Sequence, residues 1–294
     1  MQGERLSDWL VGLSIPAIAA GTFCLMLLAA AGGQLIRRAQ NRRVKREEGE
    51  TESSVAQEGY LLGSVLGLLG LLLAFTFGMA LNRYEARREL VVQEANAIGT
   101  AYLRSQLLDE PYRSMLSKLL VSYTENRIQL ATVGGGRGPY LERNDELLTE
   151  IWSVVKASRE SALSHGLTTA LLITFNEVID RDSERKIAWN LRIPVEVLFL
   201  LLIYLGVTAA VVGHQVDGPR GKRAALVLFI LVPLSITIIA DLNRPMSGHA
   251  RESQEPMIKL LASLKSQPPQ VFDRFSTAPP DAGDPKELKG TPSR

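Results

Sequence analysis

The chain has 294 residues, and its 33 basic and 31 acidic side chains give a formal net charge of +2. This near balance argues against a nucleic-acid-binding protein, which would need a basic surface. The single cysteine, Cys24, excludes a disulfide framework. Apolar residues make up 46% of the chain and cluster into long runs. The pattern predicts an all-α integral membrane protein with four transmembrane helices.

The first apolar run extends over residues 9–36, and Trp9 is suited to anchor it at the membrane interface. The run is longer than the apolar core of a signal peptide, and its basic cluster follows it instead of preceding it. We therefore interpret it as a retained span within a segment 1–59, with Pro16 and the pair Gly32–Gly33 as candidate bends.

The second run, residues 60–81, contains no ionisable side chain apart from Tyr60. At about 1.5 Å per residue it is long enough to cross a hydrocarbon core of roughly 30 Å. Helix-forming residues continue without a break to Leu108. One helix is therefore predicted to leave the membrane and enter the segment 82–192.

Small residues recur every three or four positions along one side of the second span: Gly63, Gly67, Gly70, Ala74 and Gly78. Such a face lets another helix backbone approach closely in lipid. The contact would lie within one subunit, or between subunits or at a pore axis. The same reasoning assigns Leu72, Phe75 and Met79 to the opposite side of the helix.

The segment 82–192 is too polar for lipid and too periodic for disorder, so it is predicted to form a helical bundle. Besides the extension of the second span, helices are expected at 112–133, 140–163 and 167–190. The sequence GGGRGP at 134–139 lacks the Gly-Lys-Ser/Thr ending of a phosphate-binding loop, so it is interpreted as a plain connection.

The segment 193–242 holds the third and fourth spans, predicted at 193–213 and 224–240 and joined by a short hairpin connection. The remaining segment, 243–294, contains an amphipathic stretch at 257–264. From Gln267 onward the chain is rich in proline and polar residues, which is typical of disorder.

The basic residues predict the membrane orientation. Six of them lie within ten positions at the start of the 37–59 loop, whereas Arg5 is alone before the first span. The positive-inside rule then places the 37–59 loop and the 214–223 connection in the cytoplasm and the 82–192 bundle in the periplasm. Basic residues that flank the bundle favour the opposite orientation, but long loops translocate largely regardless of charge.

Catalytic and metal-binding patterns are missing from the sequence. The three histidines, His165, His214 and His249, are far apart, and none has a second ligand at the spacing typical of a metal site. The motifs for a nucleophile elbow, a redox dithiol or a zinc protease are also lacking. We predict no catalytic residue, no metal and no cofactor, and a protein that is not an enzyme.

Ionisable residues at the edges of spans need a partner or a water-filled cavity. Glu196 lies one turn into the third span, where Arg192 is a candidate partner on the same helix. A network is predicted where the spans meet the bundle, and its role would be structural or conductive. Its members are Arg83, Arg87, Glu94, Glu196, Asp241 and Arg244.

Two stretches resemble the bestrophin-like family of bacterial membrane proteins. The first, residues 72–104, contains RYEARR followed by EANAIGTAYLR, and the second, residues 240–257, contains DLNRP followed by SG and EP. The resemblance covers about residues 60–264 and implies a multi-pass protein of the bacterial inner membrane. It also implies kinship with bestrophins, which are pentameric anion channels with four spans and an apolar neck. Phe75 and Phe77 resemble such a neck, although they also fit an ordinary apolar core.

Two functions are compatible with this pattern. The first is a homo-oligomeric channel for anions in the lipid bilayer, with the second span lining the pore and Phe75, Met79 and Arg83 as its pore-lining residues. The second is a membrane-anchored interaction or sensory protein whose bundle binds a partner or ligand. An enzyme ranks third.

Overall fold

The computed structural model describes residues 14–44, 52–133, 136–216, 218–244 and 250–274. Trp9, His249, residues 45–51 of the predicted 37–59 loop and the tail after residue 274 lie outside the described residues, with the predictions made for them. The described part of the chain consists of helices and their connections, which confirms the predicted all-α class.

The helices are labelled in chain order. They are α1 (Ile15–Val44), α2 (Glu52–Ser105), α3 (Tyr112–Thr132), α4 (Gly138–Ala157), α5 (Arg159–Ser164), α6 (Thr168–Ala188), α7 (Val195–Gln215), α8 (Gly218–Leu242) and α9 (Glu255–Ser266), followed by a short 3-10 helix (Pro269–Asp273). The chain divides into two compact units, each described by itself below. The membrane unit comprises residues 1–91 and 183–253, and the bundle unit comprises residues 92–182 and 254–294.

Four of the described helices are long and apolar enough to cross a membrane: Ile15–Arg42, Gly59–Ser105, Val195–Gln215 and Gly218–Leu242. They confirm the four predicted spans. The helix α2 continues for 54 residues without interruption, so the prediction of one rod that extends beyond the second apolar run is also confirmed.

The membrane unit has an apolar core to which all four spans contribute. Met26 of α1, Leu69 of α2, Leu205 of α7 and Phe229 of α8 are buried together in it. The helix α1 packs against α7 and α8. Because lipid is as apolar as these side chains, close packing and not burial from water holds such helices together.

Two glycines bring α1 and α7 into backbone contact. A Cβ atom on Gly33 would collide with the carbonyl oxygen of Ala210, and one on Gly213 would lie 2.5 Å from the Cα of Ala30. Glycine is therefore required at both positions because there is no room for a side chain. The backbone conformation does not require it. Neither Pro16 nor the pair Gly32–Gly33 ends the helix, since α1 is continuous through both positions.

We expect Gly213→Ala to destabilise the protein, because the added methyl group meets main-chain atoms that cannot rotate away. Overpacking of this kind costs about 1–3 kcal/mol. Gly206→Ala on the same helix is the matched control, since a Cβ there meets no described atom within 4 Å. Thermal unfolding in detergent should show a lower melting temperature for Gly213→Ala only. Equal melting temperatures for the two variants would contradict the close contact.

Several helix boundaries differ from those predicted. Residues 37–44 and 52–59 of the predicted 37–59 loop belong to α1 and α2. The helix expected at 140–163 is divided at Ser158, whose hydroxyl donates a hydrogen bond to the carbonyl of Val155 at 2.9 Å, and local bonds of this kind compete with helix continuation. The connection expected at 214–223 is much shorter, because α8 already begins at Gly218. The stretch at 269–273, expected to be disordered, forms the 3-10 helix, and Asp273 there pairs with Arg113 at 2.6 Å.

The bundle unit has its own core, built from the described parts of α2, α3, α4, α6 and α9. Its buried apolar side chains follow helical spacing on each element, for example Leu116, Leu120 and Tyr123 on α3. The helix α3 packs against α4 and α9. On α2, Gly99 lies against α9, where an added Cβ would be 3.3 Å from the side chain of Leu260.

Candidate functional site

The membrane half of α2, the candidate pore helix, has an apolar half that the rest of the described chain leaves uncovered. Phe75 is 66% exposed and Phe77 is 40% exposed. A Cβ on Gly63, Gly67 or Gly70 would meet no described atom within 4 Å. The glycines therefore do not pack closely within the described chain, which removes the first of the two expectations for them. A contact with a second subunit stays a prediction.

The small residues and Phe75 share the exposed half of α2. Gly63, Gly67, Gly70 and Ala74 are exposed and Gly78 is half-buried. By contrast, Leu72 packs against the membrane unit's core, and Met79 packs against a second cluster that contains Ile193 and Ile239. Leu72, Phe75 and Met79 lie within about 60° of one another around the helix, but only Phe75 is exposed in the described chain.

Arg87 of α2 joins the two sequence motifs within the membrane unit. Its guanidinium is buried, and its Nε lies 2.6 Å from Oε1 of Glu252. Its Nη2 donates a hydrogen bond of 2.8 Å to the carbonyl of Leu242, the last residue of α8. A cation is favourable at a helix C-terminus, where carbonyl groups lack partners. RYEARR and DLNRP are therefore linked through Arg87, and the contribution of Glu252 was missed by sequence reasoning.

The other residues of DLNRP hold the turn after α8. Asn243 accepts the backbone N–H of Ile193 on its Oδ1 at 2.8 Å, and Asp241 accepts that of Ala250 at 3.0 Å. Arg244 is buried, Arg83 is half-buried and Glu196 is exposed. Six residues were predicted to form one network. Arg87 pairs instead with Glu252, which is not one of the six. Glu94 belongs to a separate cluster in the bundle unit.

That cluster surrounds a buried arginine of α3. The Nε of Arg127 lies 2.6 Å from Oε1 of Glu94, and its Nη1 lies 3.0 Å from Oδ1 of Asp182. Tyr123 donates a hydrogen bond of 3.0 Å to Glu94, and Asn144 donates one of 3.0 Å to Asp182. Burial, with the charge of Glu94 in second place, raises the pKa of Tyr123 well above its ordinary value, so the phenol remains a neutral donor.

The sequence carries a signal for this cluster in the positions of its charged residues. Arg127 follows Tyr123 by four positions and Leu120 by seven, so it lies on the apolar stripe of α3. Asp182 likewise follows Val178 by four and Phe175 by seven on α6. A polar residue on a buried stripe indicates a buried partner, although the stripe does not say which one.

The remaining motif residues also make structural contacts inside the bundle unit. The hydroxyl of Tyr102 donates to the carbonyl of Gln267 at 2.7 Å. Arg104 donates to the carbonyl of Ala170 at 3.0 Å and to the hydroxyl of Thr174. Residues of the EANAIGTAYLR stretch thus make contacts that stabilise the bundle unit.

The described residues offer little for metal or nucleophilic chemistry. They contain no group of three or more His, Cys, Asp or Glu side chains that could hold a metal ion. The Nε2 of His165 lies 3.2 Å from Asp109, and that of His214 lies 2.9 Å from Gln40. Each of these two histidines thus has one polar neighbour on the protein surface.

Comparison with known proteins identifies the family. The model of the Bestrophin-like domain matches residues 24–257, which is well over half of the chain. The chain belongs to the bestrophin-like family. This confirms the resemblance found in the two motifs, both of which lie within the matched range. None of the curated proteins compared with the bestrophin-like chain matches it.

Two crystal structures of point variants of a bacterial bestrophin homologue from Klebsiella pneumoniae are similar to this bestrophin-like chain. The matches cover 86% and 88% of this chain and 100% and 99% of the other, with TM-scores of 0.58 and 0.59. The sequences are 13% identical in both cases. At this identity the likeness shows a shared fold.

Proposed function

We propose that this bestrophin-like chain is one subunit of a homo-oligomeric channel for anions, with the membrane half of α2 lining the pore. The observation that carries the proposal is the apolar face of α2, with Phe75 66% exposed in the single chain. A second copy of the chain and a pore axis would together account for that face. Membership of the family supports the same function, and no enzymatic role is proposed.

The side chains of α2 suit a gated pore. An apolar constriction controls flow by expelling water, and Phe75 would form it. Met79, one turn further along, packs against Ile193 and Ile239 and would support the constriction from within the subunit. Arg83 follows Met79 by one more turn and is half-buried. Its positive charge would raise the local concentration of anions at the mouth of the pore.

Flux through reconstituted protein tests the channel. Purified chain in liposomes should pass halide and nitrate, and Arg83→Glu should shift selectivity away from anions. Arg88→Glu is the control, because Arg88 is an exposed arginine on a different side of α2. A melting temperature measured for each variant separates lost selectivity from lost folding. Folded, inserted wild-type protein that is silent to halide, nitrate and cation gradients would overturn the proposal.

The orientation in the inner membrane follows from the asymmetry of basic residues around the first span. We expect a reporter that is active only in the periplasm to be active when fused after Gly136, in the connection between α3 and α4. The same reporter fused to the 37–59 loop should be inactive. Activity of a cytoplasm-only reporter at Gly136 would contradict this orientation and place the bundle in the cytoplasm.

A membrane-anchored interaction protein is the second candidate. The observation that favours it is the continuity of α2 over 54 residues, since a single helix contains both the second apolar run and the EANAIGTAYLR stretch. The flux experiment separates the two functions, because an interaction protein would be folded and inserted but would pass no ion.

A further inference from the structure

An apolar cavity lies within the membrane unit, between α1, α7 and α8. Its volume is about 280 Å³, just below the range of roughly 300–1,000 Å³ typical of ligand pockets. Its wall consists mainly of aliphatic side chains, including Ile18, Leu25, Leu201, Leu202 and Ile236. This size and lining suit a single alkyl chain.

One end of the cavity is polar. Arg192 precedes α7 and Arg244 follows α8, and they are the two ionisable residues among those that line the cavity. Asn243 lies beside them, with its Oδ1 already bound to the N–H of Ile193. Thr22, on the wall, donates its hydroxyl to carbonyl groups of its own helix. The groups that distinguish this end are therefore two guanidinium ions.

The charges at this end favour an anion. Arg244 is only 5% exposed. Burial lowers the pKa of Arg244, and the positive charge of Arg192 acts in the same direction, whereas Asp241 opposes both. Asp241 does not line the cavity, and its Oδ2 accepts the N–H of Ala250. Arg192 and Arg244 line the cavity and no acidic residue of the described chain does, so the charges on the cavity wall itself are positive and favour an anion.

We propose that this cavity binds an anionic phospholipid of the surrounding membrane, with one acyl chain in the apolar part and the headgroup phosphate on Arg192 and Arg244. An arginine guanidinium presents five N–H donors in a planar fork, so it can bind a phosphate while it also contacts protein groups. Basic pockets between transmembrane helices take such headgroups on the cytoplasmic side of other membrane proteins, and two guanidinium groups offer the same chemistry here. The inference goes beyond channel activity and does not depend on it.

Thermal unfolding of the full chain in neutral detergent tests the site. The probes are short-chain phosphatidylglycerol, phosphatidylcholine of the same chain length, and inorganic phosphate. Phosphatidylglycerol should raise the melting temperature in a saturable manner, because a ligand that binds only the folded state stabilises it. Phosphatidylcholine, whose headgroup has no net charge, and inorganic phosphate, which has no alkyl chain, should leave it nearly unchanged.

Two variants remove different parts of the site. Arg192→Gln should weaken the apparent affinity for phosphatidylglycerol at least about tenfold, the loss expected for a charged hydrogen bond. Leu25→Trp should have a similar effect by filling the apolar part, although it leaves both arginines in place. Arg88→Gln, outside the cavity, should respond like the wild type. Arg244 is left intact because it is buried, and its loss would affect folding.

Three results would overturn the proposal. The first is equal stabilisation by phosphatidylcholine, and the second is an unchanged response in both Arg192→Gln and Leu25→Trp. The third is the same stabilisation by inorganic phosphate alone, which would identify a simple anion site. Because each readout is a melting temperature, failure here leaves the flux experiment on the channel unaffected.

Discussion

Replacing Arg127 with methionine is expected to lower the free energy of unfolding by about 3–5 kcal/mol, the usual effect of breaking a buried ion pair. The guanidinium lies 2.6 Å from Glu94 and 3.0 Å from Asp182, and all three side chains are buried. Without it, both buried carboxylates lose the cation that they share. Tyr123 and Asn144 would still donate to them, but neither neutralises their charge.

Arg143→Met is the matched control for this experiment. Arg143 is an exposed arginine of the same bundle unit, and it pairs with Glu146 and Glu150 at 3.0 Å each. Exposed pairs of this kind contribute only about 0–1 kcal/mol. Unfolding by denaturant in detergent should therefore separate the two variants by several kcal/mol. A similar, small loss of unfolding free energy in both variants would contradict a stabilising role for the buried ion pair of Arg127.

The second large effect is expected at the pore. If Phe75 forms an apolar constriction, Phe75→Ala widens it and allows water to enter, so halide flux through reconstituted protein should rise severalfold. Because Phe75 is mostly exposed in the single chain, truncation should cost little stability within the subunit. Flux per folded protein is the quantity to compare.

Phe77→Ala is the control at the same depth. Phe77 is two residues further along α2, which rotates it about 200° around the helix, so the two rings cannot both face one axis. The substitution removes the same side chain from the same helix. We expect flux close to the wild-type level. A rise with Phe77→Ala and none with Phe75→Ala would place the pore on the other side of α2.

The sequence predicts the elements of this fold better than their contacts. Four spans, the unbroken α2 and the bundle follow from hydropathy and helical periodicity, which are local properties of the chain. The limits of α8 were predicted less well, because Gly218 begins a helix although residues 218–223 are glycine-rich and basic. Because these residues are polar, they were predicted to be part of the connection, whereas they form the first turns of α8.

The contacts depend on partners that are distant in sequence. The glycines of α2 form the most regular pattern, yet the close backbone approaches occur on other helices, where Gly33 meets Ala210 and Gly213 meets Ala30. Glu94 was predicted to belong to a charge network where the spans meet the bundle, but its partners Arg127 and Tyr123 come from α3. A pattern along one helix shows that a residue needs a partner and does not identify it.

The most direct test of the channel asks whether the side chain at position 75 lies in a water-filled conduction path. The chain has one cysteine, Cys24, which is exposed, so Cys24→Ser provides a background without thiols. Phe75→Cys and Phe77→Cys in this background are reconstituted and treated with a charged, membrane-impermeant thiol reagent. The reagent reacts with the thiolate, which requires contact with water.

We predict that the reagent abolishes most halide flux in Phe75→Cys and leaves flux in Phe77→Cys and in the Cys24→Ser background unchanged. Mass spectrometry of the recovered protein establishes how much of each thiol was labelled. Undiminished flux in Phe75→Cys with the thiol fully labelled would contradict a pore lined by this face of α2, as would a thiol that reacts only with lipid-soluble reagents.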